Sequence, residues 1–211
     1  MVIGADGRTI FLIRHGETAG NAARIVQMPD AALSPRGVAQ AERLARRLAT
    51  MGIARILVSD LARAMTTAEP LRRATGAPLE LAPLLRERNF GDIRGTPYAQ
   101  LDFDPFALDY APPGGESWET FHSRVDRAWE LVQARAAETD GHLAVVTHGL
   151  VCRSLAARHL LLPPGEAVPE RWENTSLTIV DGPAPWRVRL LNCAVHLTGL
   201  AGAAPPGAGP V

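Results

Sequence analysis

The sequence predicts an open, mostly parallel α/β fold, a three-layer α/β/α sandwich, and three observations predict it. Short continuous apolar runs at residues 9–13, 56–58 and 142–146 have the character of strands buried on both faces. Each run breaks off at a short polar motif, and each is followed by a stretch that reads as a helix. Strands and helices that alternate in this way stack helices on both faces of one sheet.

Thr9 to Ile13 is the first strand, and it stops at a charged, glycine-containing segment. Ser34-Pro35 offers an N-cap and a first-turn proline, and Val38, Ala41, Leu44, Ala45 and Leu48 carry a helix toward Gly52. Arg36, Arg43, Arg46 and Arg47 fall mostly on its solvent face. Ile56 to Val58 is a second strand, with Ser59-Asp60 as the cap of a helix from about Leu61 to Ala74 that kinks near Pro70. Pro78 to Leu85 reads as an edge-like third strand. Residues 88–115 have no periodicity and carry several Gly and Pro, which suggests a long ordered loop or lid. Ser117 to Ala137 is a long amphipathic helix with Trp118, Phe121, Val125, Trp129 and Val132 on one side. His142 to Val146 is a further buried strand, followed by a helix through about Leu161. Ser176 to Val180 and Arg187 to Leu191, joined across an Asp-Gly-Pro turn, form an antiparallel pair at the sheet edge. With 211 residues and 46% hydrophobic content the chain makes one domain over 1–198, residues 88–115 being its lid or insertion. The Gly/Ala/Pro-rich stretch 199–211 is expected to be a disordered tail.

Twenty-two basic residues balance twenty-two acidic ones, so net charge leaves no footprint for nucleic acid or an anionic membrane. All of the basic residues are Arg. Phosphate would therefore be gripped by guanidinium forks, imidazoles and backbone N–H groups, and Schiff-base or P-loop lysine chemistry is excluded. Cys152 and Cys193 form no CxxC pair and lie in apolar runs, where a buried, reduced thiol is the default. Met1 to Ile13 lacks the features of a secretory signal, and no apolar stretch is long enough to span a bilayer. The expectation is a cytoplasmic enzyme; the oligomeric state stays open, a dimer included.

Arg14-His15-Gly16-Glu17-Thr18 stands at the carboxyl end of the first strand, where open α/β sheets place their ligands. Phosphoryl transfer needs a neutral imidazole nitrogen aimed at phosphorus, a cation beside it and a small residue for close backbone approach. His15, Arg14 and Gly16 supply these. By itself the segment equally fits a hydrogen-bonded histidine at a strand end with Arg14 paired to a carboxylate. His122, His142, His159 and His196 show no metal-ligand spacing and Cys152 has no partner motif, so neither a metal nor another cofactor is expected. Gly114-Gly115 lack the strand-to-helix setting of a nucleotide loop.

The pentapeptide resembles the signature of the histidine phosphatase superfamily, which contains cofactor-dependent phosphoglycerate mutases, fructose-2,6-bisphosphatases and many small-molecule phosphatases. The likeness continues in order along the chain. Asn21 matches RHGET-x-x-N, Leu33 to Gly37 matches L-[ST]-x-x-G, and Ser59 to Ala68 matches S-x-L-x-R-A-x-x-T-A. Leu85 to Gly91 resembles L-x-E-x-x-F-G, Pro113 to Ser117 resembles P-x-G-E-S, Val145 to Gly149 resembles the strand ending in the second histidine, and Asn174 lies in a likeness of N-[TC]-S. Together these cover about residues 9 to 197.

The resemblance implies a phosphoglycerate mutase-like fold and a metal-independent phosphohydrolase acting on a small phosphorylated metabolite. It implies His15 as nucleophile, Glu87 as general acid and base, and His148 beside the nucleophile. Arg14, Asn21, Arg63, His148 and Gly149 would bind the phosphate, with Gly16, Glu17, Thr18 and Ser59 supporting these residues. The acid role asks for a raised pKa, which the nearby anionic phosphate would provide. Alternatively, Glu87 is a surface residue paired to Arg86 or Arg88. Glu116-Ser117 is either a helix start or a substrate contact. The family often has Trp-Glu where this chain has Ile93-Arg94, and Arg94 either reads a distal acidic group or, as slightly favoured, pairs with Asp92. A phosphoglycerate mutase-type isomerase is the alternative activity. Only twenty-eight residues separate Glu87 from Glu116, however, and that segment is acidic, which favours access of water and hydrolysis. A non-catalytic phospholigand-binding protein is the third reading.

Overall fold

The computed structural model describes residues 8–200, so the expectation of a disordered tail lies, beyond Leu200, outside the described residues. Six strands form one sheet: β1 (Thr9–Arg14), β2 (Ile53–Val58), β3 (Leu79–Leu81), β4 (His142–Thr147), β5 (Leu177–Asp181) and β6 (Arg187–Cys193). Their order is β3-β2-β4-β1-β5-β6. The first four are parallel, while β5 runs antiparallel to β1 and β6 antiparallel to β5. The helices are α1 (Ala19–Ala23), α2 (Pro35–Leu48), α3 (Ala62–Thr75), α4 (Trp118–Glu138) and α5 (Gly149–His159).

The sheet explains why its central strands are apolar at consecutive positions. Alternate side chains point to opposite faces. Ile10, Leu12, Leu57, Leu143 and Val145 join Phe121, Val125 and Val132 of α4 and Val151 and Leu155 of α5 in one core. Phe11, Ile13, Ile56, Val58, Ala144 and Val146 join Leu44 and Leu48 of α2 and Ala64, Ala68 and Leu71 of α3 in the other. β1 and β4 lie side by side with Arg14 opposite Thr147, so the residues that follow the two strands emerge at one edge of the sheet.

Several expectations are corrected. Pro78 to Leu85 is a strand only over Leu79–Leu81. Pro83 has no N–H to continue the ladder, and residues 83–85 turn into a 3-10 helix. Leu61, not Ser59-Asp60, takes the N-cap of α3 and, being apolar, offers no side-chain cap; Ser59 Oγ lies 2.8 Å from His148 Nε2 and Asp60 pairs with Arg86. Val38 is 43% exposed and leaves the apolar face of α2. Arg43 and Arg47 hold the segment after β6, Arg43 through Thr198 O (2.9 Å) and Arg47 through His196 Nδ1 (3.2 Å) and Cys193 Sγ (3.4 Å). Cys193 is accordingly only half-buried, whereas Cys152 is buried. No helix among the described residues is long and apolar enough to cross a membrane.

Residues 88–115 contain only two 3-10 turns, Gly91–Ile93 and Tyr98–Gln100. Their order comes largely from Arg88, which is buried and not a surface partner of Glu87. It donates to Glu116 O (3.0 Å), Pro105 O (3.2 Å) and Tyr110 O (2.6 Å), and its guanidinium lies 4.1 Å from the Trp118 ring centroid. Three carbonyls spread over residues 105–116 are thereby gathered on one planar donor.

Gly16 and Gly37 mark the closest backbone approach beside β1. A Cβ on Gly37 would lie 2.0 Å from Glu17 O, and one on Gly16 would lie 2.7 Å from Gly37 O. At Gly16 the close neighbour is the backbone of α2 at Gly37, which by itself requires a residue without a side chain. Gly37→Ala is expected to cost about 2–3 kcal/mol and to lower the calorimetric melting temperature by about 5–10 °C. An unchanged melting temperature would mean that this contact relaxes freely.

Candidate active site

His15 follows β1 directly. Its N–H donates to Thr147 O (2.9 Å), and its carbonyl accepts from Thr175 N (3.2 Å) and Asn174 Nδ2 (3.1 Å). The imidazole is 1% exposed, and its Nδ1 lies 2.7 Å from Gly16 O. A carbonyl only accepts, so Nδ1 carries the hydrogen and Nε2 keeps its lone pair. Burial, then Arg63 and Arg14, push the His15 pKa well below its ordinary 6.5. The ring is neutral, with its tautomer fixed.

His148 follows β4, the neighbouring strand, and the two ring centroids are 5.1 Å apart. Its Nε2 is 2.8 Å from Ser59 Oγ, which leaves Nδ1 buried without a hydrogen-bond partner. Burial, then Arg63 and His15, hold its pKa well below 6.5. Arg14 bonds through Nη1 to Trp172 O, and Arg63 in the first turn of α3 bonds through Nη1 to Met28 O (3.2 Å) and Pro29 O (3.4 Å). The Nε of each is buried and has no partner. Burial lowers both pKa values, that of Arg63 to about 10, so both stay cationic at neutral pH. A buried donor left dry costs about 1–3 kcal/mol. Arg63 and Arg14 both act on the charge of His15 and the His148 ring lies beside it, so these three nitrogens belong to one cluster, two of them on cations bonded only to main-chain carbonyls, an arrangement chemically able to receive an anion.

Glu87 is partly buried and close enough to this group for Arg63 and Arg14 to act on its charge. Its Oε1 accepts from Arg88 N (3.0 Å) and its Oε2 from Leu150 N (3.2 Å) in the first turn of α5. Burial raises its pKa above the ordinary 4.5, against the opposing pull of those two bonds and of Arg63 and Arg14. Burial by itself thus supplies a rise, in addition to the one expected from a nearby anionic phosphate. Arg124 fixes the segment that carries Glu87 by donating to Leu84 O (2.8 Å), Arg86 O (2.7 Å) and Glu87 O (3.3 Å). Glu116 holds Arg124 in a two-point ion pair (2.8 and 2.7 Å) and also accepts from Asn89 N (2.8 Å). Glu116 thus acts on Glu87 through Arg124.

The supporting residues are resolved individually. Thr18 caps α1 by accepting from Asn21 N (3.0 Å), and Asn21 Oδ1 accepts from Thr18 N (3.2 Å) and Asn174 Nδ2 (3.3 Å). The Asn21 oxygen is consumed there, and only its Nδ2 donors remain for a ligand. Glu17 accepts from Ser34 Oγ (2.8 Å) and Arg36 Nη1 (2.5 Å), which ties the His15 loop to α2 and takes Arg36 off the solvent face. Gly149 lies under Arg14, where an added Cβ would meet Nε at 3.5 Å, so its place is against the arginine.

Sequence reasoning gave no role to Thr67, Gln40, Trp172 or Thr175. Thr67 Oγ1 accepts from Gly16 N (2.9 Å) and donates to Arg63 O (2.7 Å), joining the segments that carry His15 and Arg63. It lay within a quoted motif, where the signal was present. Gln40 accepts from Glu17 N (2.8 Å), and Trp172 supplies the carbonyl for Arg14. These two had no signal, since only the fold brings them near. Thr175 has φ 54, a left-handed conformation that costs a β-branched residue about 1–3 kcal/mol. Its bond to His15 O helps hold it there.

A cavity of about 390 Å³ is lined by Arg63, Glu87, Arg88, Asn89, Arg94 and Glu116 among others, a size that suits a small metabolite. Arg94 is bonded to Asn89 Oδ1, and no ion pair with Asp92 occurs among the described residues. Among those residues no group of three or more His, Cys, Asp or Glu could hold a metal ion.

Comparison with known proteins agrees with this architecture. The probable phosphoglycerate mutase GpmB of Erwinia tasmaniensis is 31% identical over 188 residues, 84% of this chain and 86% of that protein. The native mycobacterial glucosyl-3-phosphoglycerate phosphatase structure is 29% identical, with a TM-score of 0.74 over 89% of this chain and 99% of that one. A phosphoglycerate mutase from Bacillus anthracis, 23% identical with a TM-score of 0.76 over 90% of this chain and 95% of that one, shares the fold. The profile of the histidine phosphatase superfamily (branch 1), a family that acts on phosphorylated small molecules, matches residues 10–194, and the chain belongs to that family.

Proposed function

We propose that the protein hydrolyses a small phosphate monoester through a phosphohistidine on His15. The observation that carries this reading is a neutral imidazole of fixed tautomer surrounded by three buried nitrogens without partners, Arg14 Nε, Arg63 Nε and His148 Nδ1. The Nε2 lone pair of His15 attacks phosphorus, and the ester P–O bond breaks as Glu87 gives its proton to the leaving oxygen. Arg14, Arg63, His148 and the Asn21 amide offset charge on the equatorial oxygens, and the N-terminus of α5 at Gly149 and Leu150 adds its dipole. Glu87, now a carboxylate, takes a proton from water. The water oxygen bonds to phosphorus, the P–N bond breaks, and its electron pair returns to His15 with release of inorganic phosphate.

No metal takes part in these steps: the phosphate charge is met by two guanidiniums and an imidazole N–H. Hydrolysis is favoured over transfer because residues 88–115, which would serve as wall and lid, are few and acidic, and Arg88 is held in internal bonds, so water reaches the phosphohistidine. Phosphate release from a panel of monoesters, measured at several pH values with and without chelator, is expected to be undiminished by the chelator. Interconversion of 2- and 3-phosphoglycerate dependent on a bisphosphorylated primer, without phosphate release, would instead establish the mutase.

A further inference from the structure

We infer that the substrate carries a second anionic group, a carboxylate or a second phosphate, set apart from the scissile phosphate and received by Arg94; this rests on the phosphohydrolase reading above. Five arginines line the cavity: Arg63, Arg86, Arg88, Arg94 and Arg124. Arg63 belongs to the anion receptor around His15. Arg86 is paired with Asp60 through two nitrogens, and Arg124 with Glu116 in the same way. Arg88 is spent on three main-chain carbonyls.

Arg94 differs from all of these. Its side chain donates to the neutral amide oxygen of Asn89, which already accepts from Gly91 N (2.8 Å), and no carboxylate pairs with it among the described residues. A half-buried guanidinium on a cavity wall with no counter-charge is a site awaiting one.

Its position is also pre-set. Arg94 ends the turn Gly91–Ile93, and Gly91 has φ 52 with no room for a side chain, since a Cβ there would lie 1.9 Å from Pro113 O. Asp92 N is tied to Pro113 O (2.9 Å) and Arg94 N to Gly91 O (3.3 Å). The guanidinium therefore projects from a fixed backbone, so a ligand has only the side chain itself to order. Gln27 lines the same cavity, with its Oε1 engaged by Thr18 Oγ1 (2.9 Å), which leaves its amide hydrogens as neutral donors.

The experiment compares matched phosphate esters that differ only in the distal group. For a carboxylate the pair is 3-phosphoglycerate and glycerol 3-phosphate, and for a second phosphate it is fructose 1,6-bisphosphate and fructose 6-phosphate. The wild-type protein is expected to favour the anionic member of at least one pair by about tenfold or more in kcat/KM, the scale of a hydrogen bond to a charged group. Which pair shows it identifies the group. In Arg94→Ala that ratio falls toward one, while Arg94→Lys, which keeps the charge and loses the fork, retains part of it. Ratios near one for both pairs in the wild type, or a preserved ratio in Arg94→Ala, would overturn the inference. Hydrolysis of p-nitrophenyl phosphate, sensitive to His15→Ala, reports separately on the reaction. Should that be absent, calorimetric titration of the same pairs into wild-type and Arg94→Ala protein decides the matter by binding alone.

Discussion

His15→Ala is expected to lower phosphate release by about 10⁴-fold or more, the scale on which loss of a covalent nucleophile acts. The reason is geometric. His15 Nε2 is freed for attack because Nδ1 is committed to Gly16 O, whereas His148, with Nε2 accepting from Ser59 Oγ, carries its hydrogen on Nδ1 and has no free lone pair. Rapid quench with a radiolabelled phosphate ester should trap an acid-labile phosphoprotein in the wild type and none in the variant. His15→Asn, which can still donate to Gly16 O, guards against a folding artefact and should be equally inactive. Activity within tenfold of wild type in both variants would remove the phosphohistidine from the mechanism.

Glu87→Gln is expected to lower kcat by about 10²–10⁴-fold on alkyl phosphates, the usual contribution of a positioned acid or base. The loss should shrink for p-nitrophenyl phosphate, whose leaving group needs no proton, so the ratio between substrates separates acid catalysis from general damage. The pH profile adds an independent sign. Burial raises the Glu87 pKa above 4.5, so the protonated acid is present below that folded value and is lost as pH rises through it. Burial lowers the His15 pKa far below 6.5, so the nucleophile stays neutral well into the acid range. Opposite shifts open a window between the folded pKa of His15 and that of Glu87 in which the nucleophile is neutral and the acid protonated. Its alkaline limb, measured on an alkyl phosphate, should disappear in Glu87→Gln. A limb that persists would assign it to another group.

Much of this protein was readable along the chain. The central strands announce themselves because a strand buried on both faces must be apolar at consecutive positions, as Phe11, Leu12 and Ile13 are. Ser34 and Ser117 announce α2 and α4 because helix caps are local chemistry. The histidine motifs stand at strand ends for the same local reason, and they coincide in space because β1 and β4 are neighbours. Edge elements were read less well. Pro78 to Leu85 has strand composition throughout, but pairing with β2 decides its length, and pairing is not local.

Charged side chains show the division most clearly. Chain order alone determined that His15, Arg63, Glu87 and His148 are each present beside a strand or helix terminus suited to anion chemistry. Tertiary structure alone decided what each arginine does, because a long guanidinium chooses its partner through space. Arg36 turned from solvent to Glu17, Arg88 turned inward to gather three carbonyls, Arg124 took Glu116, and Arg94 was left facing the cavity without a carboxylate. The same holds for the neutrality of the two imidazoles and the raised pKa of Glu87. Desolvation dominates all three shifts, and it depends on how completely distant segments exclude water, which composition does not encode.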